Sequence, residues 1–289
     1  MKVLKESEWR NRAQAYYAEI HSYTKPARER KSRHEKHPVL DFLHSYYTYS
    51  LGSLEKWHPG LEHALEIDGL LPDYYMSQHY SLGSRVSLDT TKITTQQRDY
   101  FIYIHNLLAL TQTRSPHFRC YGLHEWAMLY RANSQEVRHQ EQAPLRLSIK
   151  EIADAVESRE INCTHFDAYR FFTKAAIPLN KVQPTLAQRP DYEQPACIHA
   201  NMDLYKWAYK CMPWIGSDLL KQTFLFALEA REIDMRASPY NLSAFGYEAI
   251  PVETAEGRAQ YVQLQKQLTQ KGLALRETLL ATIDKILKN

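Results

Sequence analysis

Three stretches of this chain place an imidazole, a carboxylate and aromatic rings within a few residues of one another. Cys163-Thr164-His165-Phe166-Asp167-Ala168-Tyr169-Arg170-Phe171 and Cys197-Ile198-His199-Ala200-Asn201-Met202-Asp203-Leu204-Tyr205-Lys206-Trp207 each read Cys-x-His, then Asp-x-Tyr, then a cation and an aromatic ring. Cys120-Tyr121-Gly122-Leu123-His124-Glu125-Trp126, running on to Tyr130-Arg131, is a looser relative. An imidazole beside a carboxylate can bind a metal ion or move a proton. His199 and Asp203 are four positions apart, so a helix presents both on one face. His165 and Asp167 are two apart and converge only if His165 stands where a helix begins. The His-to-Asp spacing differs between the two stretches, so they are not copies in a solenoid array. They read as convergence on one function.

Two chemistries fit these residues. In the first, His124, Glu125, His165, Asp167, His199 and Asp203 surround an iron or zinc ion, as nitrogen and oxygen donors do in helical proteins. None of the three stretches carries the Glu-x-x-His spacing of the familiar helical di-iron pattern. In the second, no metal takes part: Asp167 or Asp203 acts as general base beside His165 or His199. Trp126, Tyr130, Tyr169, Tyr205 and Trp207, with Arg170 and Lys206, then form the substrate pocket. A cationic ring between such faces would gain roughly 0.5–2 kcal/mol per good contact. The bland alternative is a hydrogen-bonded His–Asp–Tyr network inside a core, since 20 Tyr, 9 Phe and 5 Trp cannot all line one cavity.

The elements that must position these groups are mostly helices. Trp9, Ala13, Tyr16, Tyr17 and Ile20 recur at helical spacing and predict a helix over 6–21, ended by Pro26. Helices are expected over 95–110, 123–131, 149–157, 164–176, 198–212, 217–235 and 253–287, with a short one after Pro38. Ser148 and Glu151 make a capping box, Ser217 reads as a second N-cap, and Gly257 or Gly272 as a kink in the last helix. Arg85–Asp89 with Lys92–Thr94 suggests a small hairpin at most. Pro178, Pro184, Pro190 and Pro195 make 178–195 a loop of the length that often covers a site. The expectation is a mainly α protein of about nine helices in a single domain spanning 1–289.

With 289 residues, 44% of them hydrophobic and only 9 Gly, the chain has material for a sizeable core and excludes collagen-like or disordered architecture. A net charge of +3 is too mild to announce a nucleic-acid binder. Its distribution says more: Lys25, Arg28, Arg30, Lys31, Arg33 and Lys36 face only Glu29 and Glu35, which makes 22–37 a basic linker able to touch phosphate. Four cysteines in a chain this long are thiols or ligands rather than a disulfide framework. No uncharged run approaches the roughly 18 residues of a membrane span, and the start has no apolar signal core, so a cytoplasmic protein without a membrane partner is expected.

His37-Pro38-Val39-Leu40-Asp41-Phe42-Leu43, Trp57-His58-Pro59-Gly60, Gly122-Leu123-His124-Glu125-Trp126, His165-Phe166-Asp167-Ala168-Tyr169-Arg170-Phe171-Phe172, His199-Ala200-Asn201-Met202-Asp203-Leu204-Tyr205-Lys206-Trp207 and Asp234-Met235-Arg236-Ala237-Ser238-Pro239-Tyr240 resemble a bacterial family labelled 3-methyladenine DNA glycosylase. The resemblance spans nearly the whole chain. It implies hydrolysis of the bond between a methylated purine and deoxyribose, with damaged DNA as partner and the base extruded into an aromatic pocket. Asp167 or Asp203 would then serve as the base, with Trp126, Tyr169, Tyr205 and Trp207 stacking. No Gly-x-Gly of the glycine-rich hairpin used by one large glycosylase class occurs. The alternative is a helical enzyme that uses iron or zinc on a small molecule, and a third is a binding module whose networks only stiffen its core. The charged cluster Arg231, Glu232, Asp234 and Arg236 reads as an ion-pair network.

Overall fold

Helix α1 begins at Glu6, and in the computed structural model, which describes residues 1–133 and 143–288, it runs to Ser32. The basic stretch 22–37 is therefore not a linker but largely the last three turns of α1. Pro26 removes one helix hydrogen bond, yet Thr24 and Ala27 are buried around it. Arg28 grips Glu55 with two hydrogen bonds of 2.6 Å, and Arg30 grips Asp41 at 2.8 and 2.5 Å. These tertiary contacts hold the helix past its proline.

Two short helices follow, α2 (Phe42–Tyr46) and α3 (Leu51–Leu54). A four-stranded sheet combines β1 (Lys2–Leu4), β2 (His63–Glu66), β3 (Tyr80–Leu82) and β4 (Arg85–Leu88) in the order β1-β2-β4-β3. Strands β1 and β2 are parallel, with Val3 opposite Ala64, and the other pairings are antiparallel. The hairpin partner of β4 precedes it, so the pairing expected with 92–94 is corrected: Thr90–Lys92 is a 3-10 turn.

The remaining helices are α4 (Thr95–Thr113), α5 (Leu123–Ala127), α6 (Ile149–Glu157), α7 (Phe166–Tyr169), α8 (Arg189–Tyr192), α9 (Ile198–Lys210), α10 (Ser217–Arg236) and α11 (Ala255–Lys288). The protein is mainly α, with eleven helices among the described residues; the count exceeds nine because single turns such as α3, α7 and α8 carry no periodic signal. The Ser148–Glu151 capping box opens α6 as expected. Ser217 does not cap α10, which starts from Gly216; its hydroxyl instead bonds the Lys56 carbonyl at 3.0 Å and accepts from the His58 amide at 2.8 Å. The expected helix over 164–176 shrinks to α7, and 178–195 is not an uninterrupted loop, since it contains α8.

Helix α9 is the centre of the molecule. From Ile198 to Tyr209 every residue except Lys206 is buried, so α9 is surrounded on all faces. Helices α10 and α11 pack against it, and α4 packs in turn against α11. Helix α11 is continuous over 34 residues. Gly272 lets it approach α9, since a Cβ there would fall inside contact distance of the Asn201 amide and 3.2 Å from Phe226. No helix among the described residues is long and apolar enough to cross a membrane.

Candidate active site

Helix α9 sets His199, Asp203 and Lys206 along one stripe at four- and three-residue steps. His165 is the N-cap residue of α7, in extended conformation, which allows His165 and Asp167 to turn toward the same centre despite their short separation. Helix α5 brings His124 and Glu125, α10 brings Arg231 and Asp234, and the segment from α8 brings Arg189 and Glu193. All of these except Lys206 are buried.

Two adjoining networks result. In the first, His124 Nε2 lies 2.7 Å from Asp234 Oδ1, and Arg231 donates to Asp234 Oδ2 at 2.8 Å and to Glu125 Oε1 at 3.1 Å. In the second, His165 Nε2 lies 3.3 Å from Asp203 Oδ2 and 3.4 Å from Glu193 Oε1. The Tyr47 hydroxyl donates to Asp203 Oδ1 at 2.8 Å, Lys206 reaches Asp167 at 3.0 Å and Asp203 at 3.4 Å, and Arg189 bonds Asp167. His199 joins the two, its ring 4.5 Å from that of His124 and stacked 5.4 Å from that of His165.

Their protonation follows from burial and neighbouring charge. Burial and the positive His124 push the pKa of His199 well below the ordinary imidazole value, so it is neutral. Burial alone would lower His124, but the Asp234 charge and hydrogen bond override it and raise it well above that value. Burial would raise Asp167, yet Lys206 and Arg189 outweigh it and hold the carboxyl below its usual range. Asp203 is held down by Lys206 and His165 against burial, whereas Glu193, fully enclosed, is raised by burial in spite of His165 and Arg189.

A cavity of about 390 Å³ opens onto this centre. Glu125, Asp167, His199 and Arg231 form its polar end, and Phe42, Tyr46, Phe171 and Tyr240 stand among its walls. Of the four predicted catalytic residues, Asp167 and His199 reach the cavity, while Asp203 and His165 lie behind them. The predicted aromatic pocket is overturned. Trp126 and Tyr205 have no exposed surface and Trp207 has 2%. Trp126 bonds the Ala237 carbonyl, Tyr205 packs among Tyr47, Tyr209 and Phe224, and the Tyr130 hydroxyl is held by Glu157. Tyr169 bonds Gln183, Arg170 pairs with Asp167 at 3.6 Å from outside, and Lys206 belongs to the network rather than to a wall. Because α9 is enclosed, any aromatic on it becomes core.

The single six-residue metal set is corrected too. His124, Glu125, His199 and Asp234 form one group and His165, Glu193 and Asp203 another, each with donor atoms within 4.8 Å; Asp167 belongs to neither. Both groups have the nitrogen and oxygen donors that iron or zinc accepts. Every carboxylate among them already faces a guanidinium, ammonium or imidazole partner. Sequence reasoning missed Asp234, Glu193, Arg231, Arg189 and Tyr47. Arg231 and Asp234 stood in the charged cluster assigned no chemistry, and the i, i+4 pair Arg189 and Glu193 stood inside the proline-rich stretch. Comparison with family models, with curated proteins and with solved structures finds no match for this chain.

Proposed function

We propose that the protein is a hydrolase that cleaves the N-glycosidic bond of an alkylated or otherwise modified nucleobase, as the resemblance to the 3-methyladenine DNA glycosylase label suggests. One observation carries the reading: the cavity places aromatic walls beside a neutral imidazole, His199, and an ionised carboxylate, Asp167. A planar base fits between the walls, and its volume suits a cavity of this size. An N-alkylated purine is cationic while attached and leaves neutral, taking the electron pair of the broken C–N bond, so its departure needs no proton donor. The sugar carbon left behind is electron-poor. The Asp167 carboxylate stabilises that charge, and His199 accepts a proton from the water whose oxygen bonds to the carbon. Arg231, already held by Glu125 and Asp234, fixes the polar end of the cavity.

The test is chromatographic measurement of free base released from N3- and N7-methylated purine nucleosides, nucleotides and oligonucleotides, with and without chelator, on protein purified without a chelating tag. Release that persists in chelator and disappears in His199→Gln and Asp167→Asn supports the reading. No release from any of these substrates overturns it. Near-stoichiometric iron or zinc, lost in His199→Ala and Asp234→Ala, would replace it with the metal-dependent alternative. Substitutions that change only thermal stability would leave the binding module.

A further inference from the structure

The three cysteines that open the three stretches meet. Cys120, Cys163 and Cys197 line one small cavity of about 10 Å³, which shares His199 with the aromatic-walled cavity. Space of this order is just enough for a single water molecule. The cavity is polar and under-satisfied. Tyr261 and Gln265 also line it, with 0% and 1% exposure, and neither the Tyr261 hydroxyl nor Gln265 Oε1 has a hydrogen-bond partner in the protein. Buried polar atoms left unpaired around a cavity imply a small polar occupant.

The thiols are not equivalent. Cys163 and Cys197 touch no titratable side chain through a hydrogen bond, whereas Cys120 Sγ lies 3.3 Å from His124 Nδ1. The other ring nitrogen of His124 is held by Asp234 at 2.7 Å. Thiol, imidazole and carboxylate thus stand in the order that activates a sulfur nucleophile. The backbone is bent to allow it. Between Cys120 and α5, Tyr121 and Gly122 have φ of 50° and 74°. A bulky side chain in this region is an outlier that the surrounding structure must hold in place. Cys120 and Cys197 are partly exposed while Cys163 and Cys211 are buried, so a small oxidant from solvent reaches the first two, and of these Cys120 has an imidazole against its sulfur.

We propose that Cys120 is a peroxide-reactive thiol, activated by His124 and set beside a small polar cavity whose unpaired Tyr261 hydroxyl and Gln265 carbonyl oxygen face a polar occupant. Its sulfur attacks one peroxide oxygen and the O–O bond breaks. The charged His124 gives a proton to the departing oxygen, which leaves as water, and the thiol proton replaces it on His124. Sulfur is oxidised to sulfenic acid and the peroxide is reduced, so the step needs no other reactant. The inference does not depend on the glycosidic reading, since Cys120, His124 and Asp234 do not line the aromatic-walled cavity.

The test treats the reduced full-length protein with sub-stoichiometric hydrogen peroxide in the presence of dimedone and maps the adduct by peptide mass spectrometry. The adduct is expected on Cys120 ahead of Cys163, Cys197 and Cys211. Its formation should slow by about tenfold or more in Asp234→Asn and His124→Gln and stay at the wild-type rate in Cys163→Ser and Cys197→Ser. The wild-type map needs no variant to fold. Labelling spread evenly over the cysteines, or led by any other than Cys120, overturns the proposal, as does an unchanged rate in a folded His124→Gln protein.

Discussion

His199 carries the residue-scale consequences. If it accepts the proton of the attacking water, His199→Gln and Asp167→Asn should each lower base release at least about a hundredfold, the usual share of a positioned base or a charge-stabilising group. Far-ultraviolet circular dichroism should stay unchanged; a loss under tenfold in a folded protein would count against both roles. The acid side of the pH profile is a separate check. A general base works unprotonated, and burial together with His124 holds His199 below its ordinary value, so it remains unprotonated through the range where a free imidazole titrates. kcat/KM should therefore show no acid limb near pH 6.5 and fall only at lower pH. A limb centred on about 6.5 would mean that another, solvated histidine is the base.

Helix α1 and helix α11 make element-scale claims that sequence alone would misplace. The basic turns of α1 offer less free charge than their composition suggests, because Arg28 and Arg30 are consumed by Glu55 and Asp41. Lys31 and Lys36 face the neighbouring groove of about 780 Å³ that shares Phe42 and Ser45 with the candidate active site. Charge reversal at Lys31 and Lys36 should weaken binding of an oligonucleotide substrate and flatten its salt dependence, while Arg30→Ala should lower the melting temperature with little change in that dependence. The opposite pattern in a salt titration would return 22–37 to a purely structural role. In α11, Gly272→Ala drives a methyl into Asn201, whose Oδ1 also accepts from buried Arg276 at 2.9 Å. Overpacking of this kind costs about 1–3 kcal/mol. A thermal melt should show a loss of several degrees, and an unchanged midpoint would mean that α9 and α11 are not in the close contact described.

Across the whole molecule, acid should weaken the fold before the carboxylates titrate. His37, His44, His58, His79, His117 and His199 are all held below the ordinary imidazole value, chiefly by burial, with His44 and His58 down to about 4. The unfolded chain takes up protons at these sites first, so the stability present above about pH 6.5 is lost as pH falls toward about 4. His124 works in the other direction, adding stability in acid because its partner Asp234 raises it. Six against one sets the sign. The melting temperature should drop between pH 7 and 4.5, and a flat or rising curve would contradict the burial of these rings.

Local order was legible in the residues: the mainly helical class, the Ser148 capping box, the start of α9 at Ile198, and the shared face of His199 and Asp203 all follow from periodicity, capping chemistry and i, i+4 geometry. Their neighbours were not. A helical repeat records which face is apolar when only one face is buried, and α9 is buried on every side, so its phase could not separate a pocket wall from core. That is why Tyr205 and Trp207 fell inside while Phe42, Tyr46, Phe171 and Tyr240, from three distant segments, came to line the cavity. Asp234 and Glu193 meet histidines 110 and 28 positions away, and β1 pairs with a strand some 60 residues on. Contacts closed across such distances are chosen by the packing of whole elements, which no local pattern encodes.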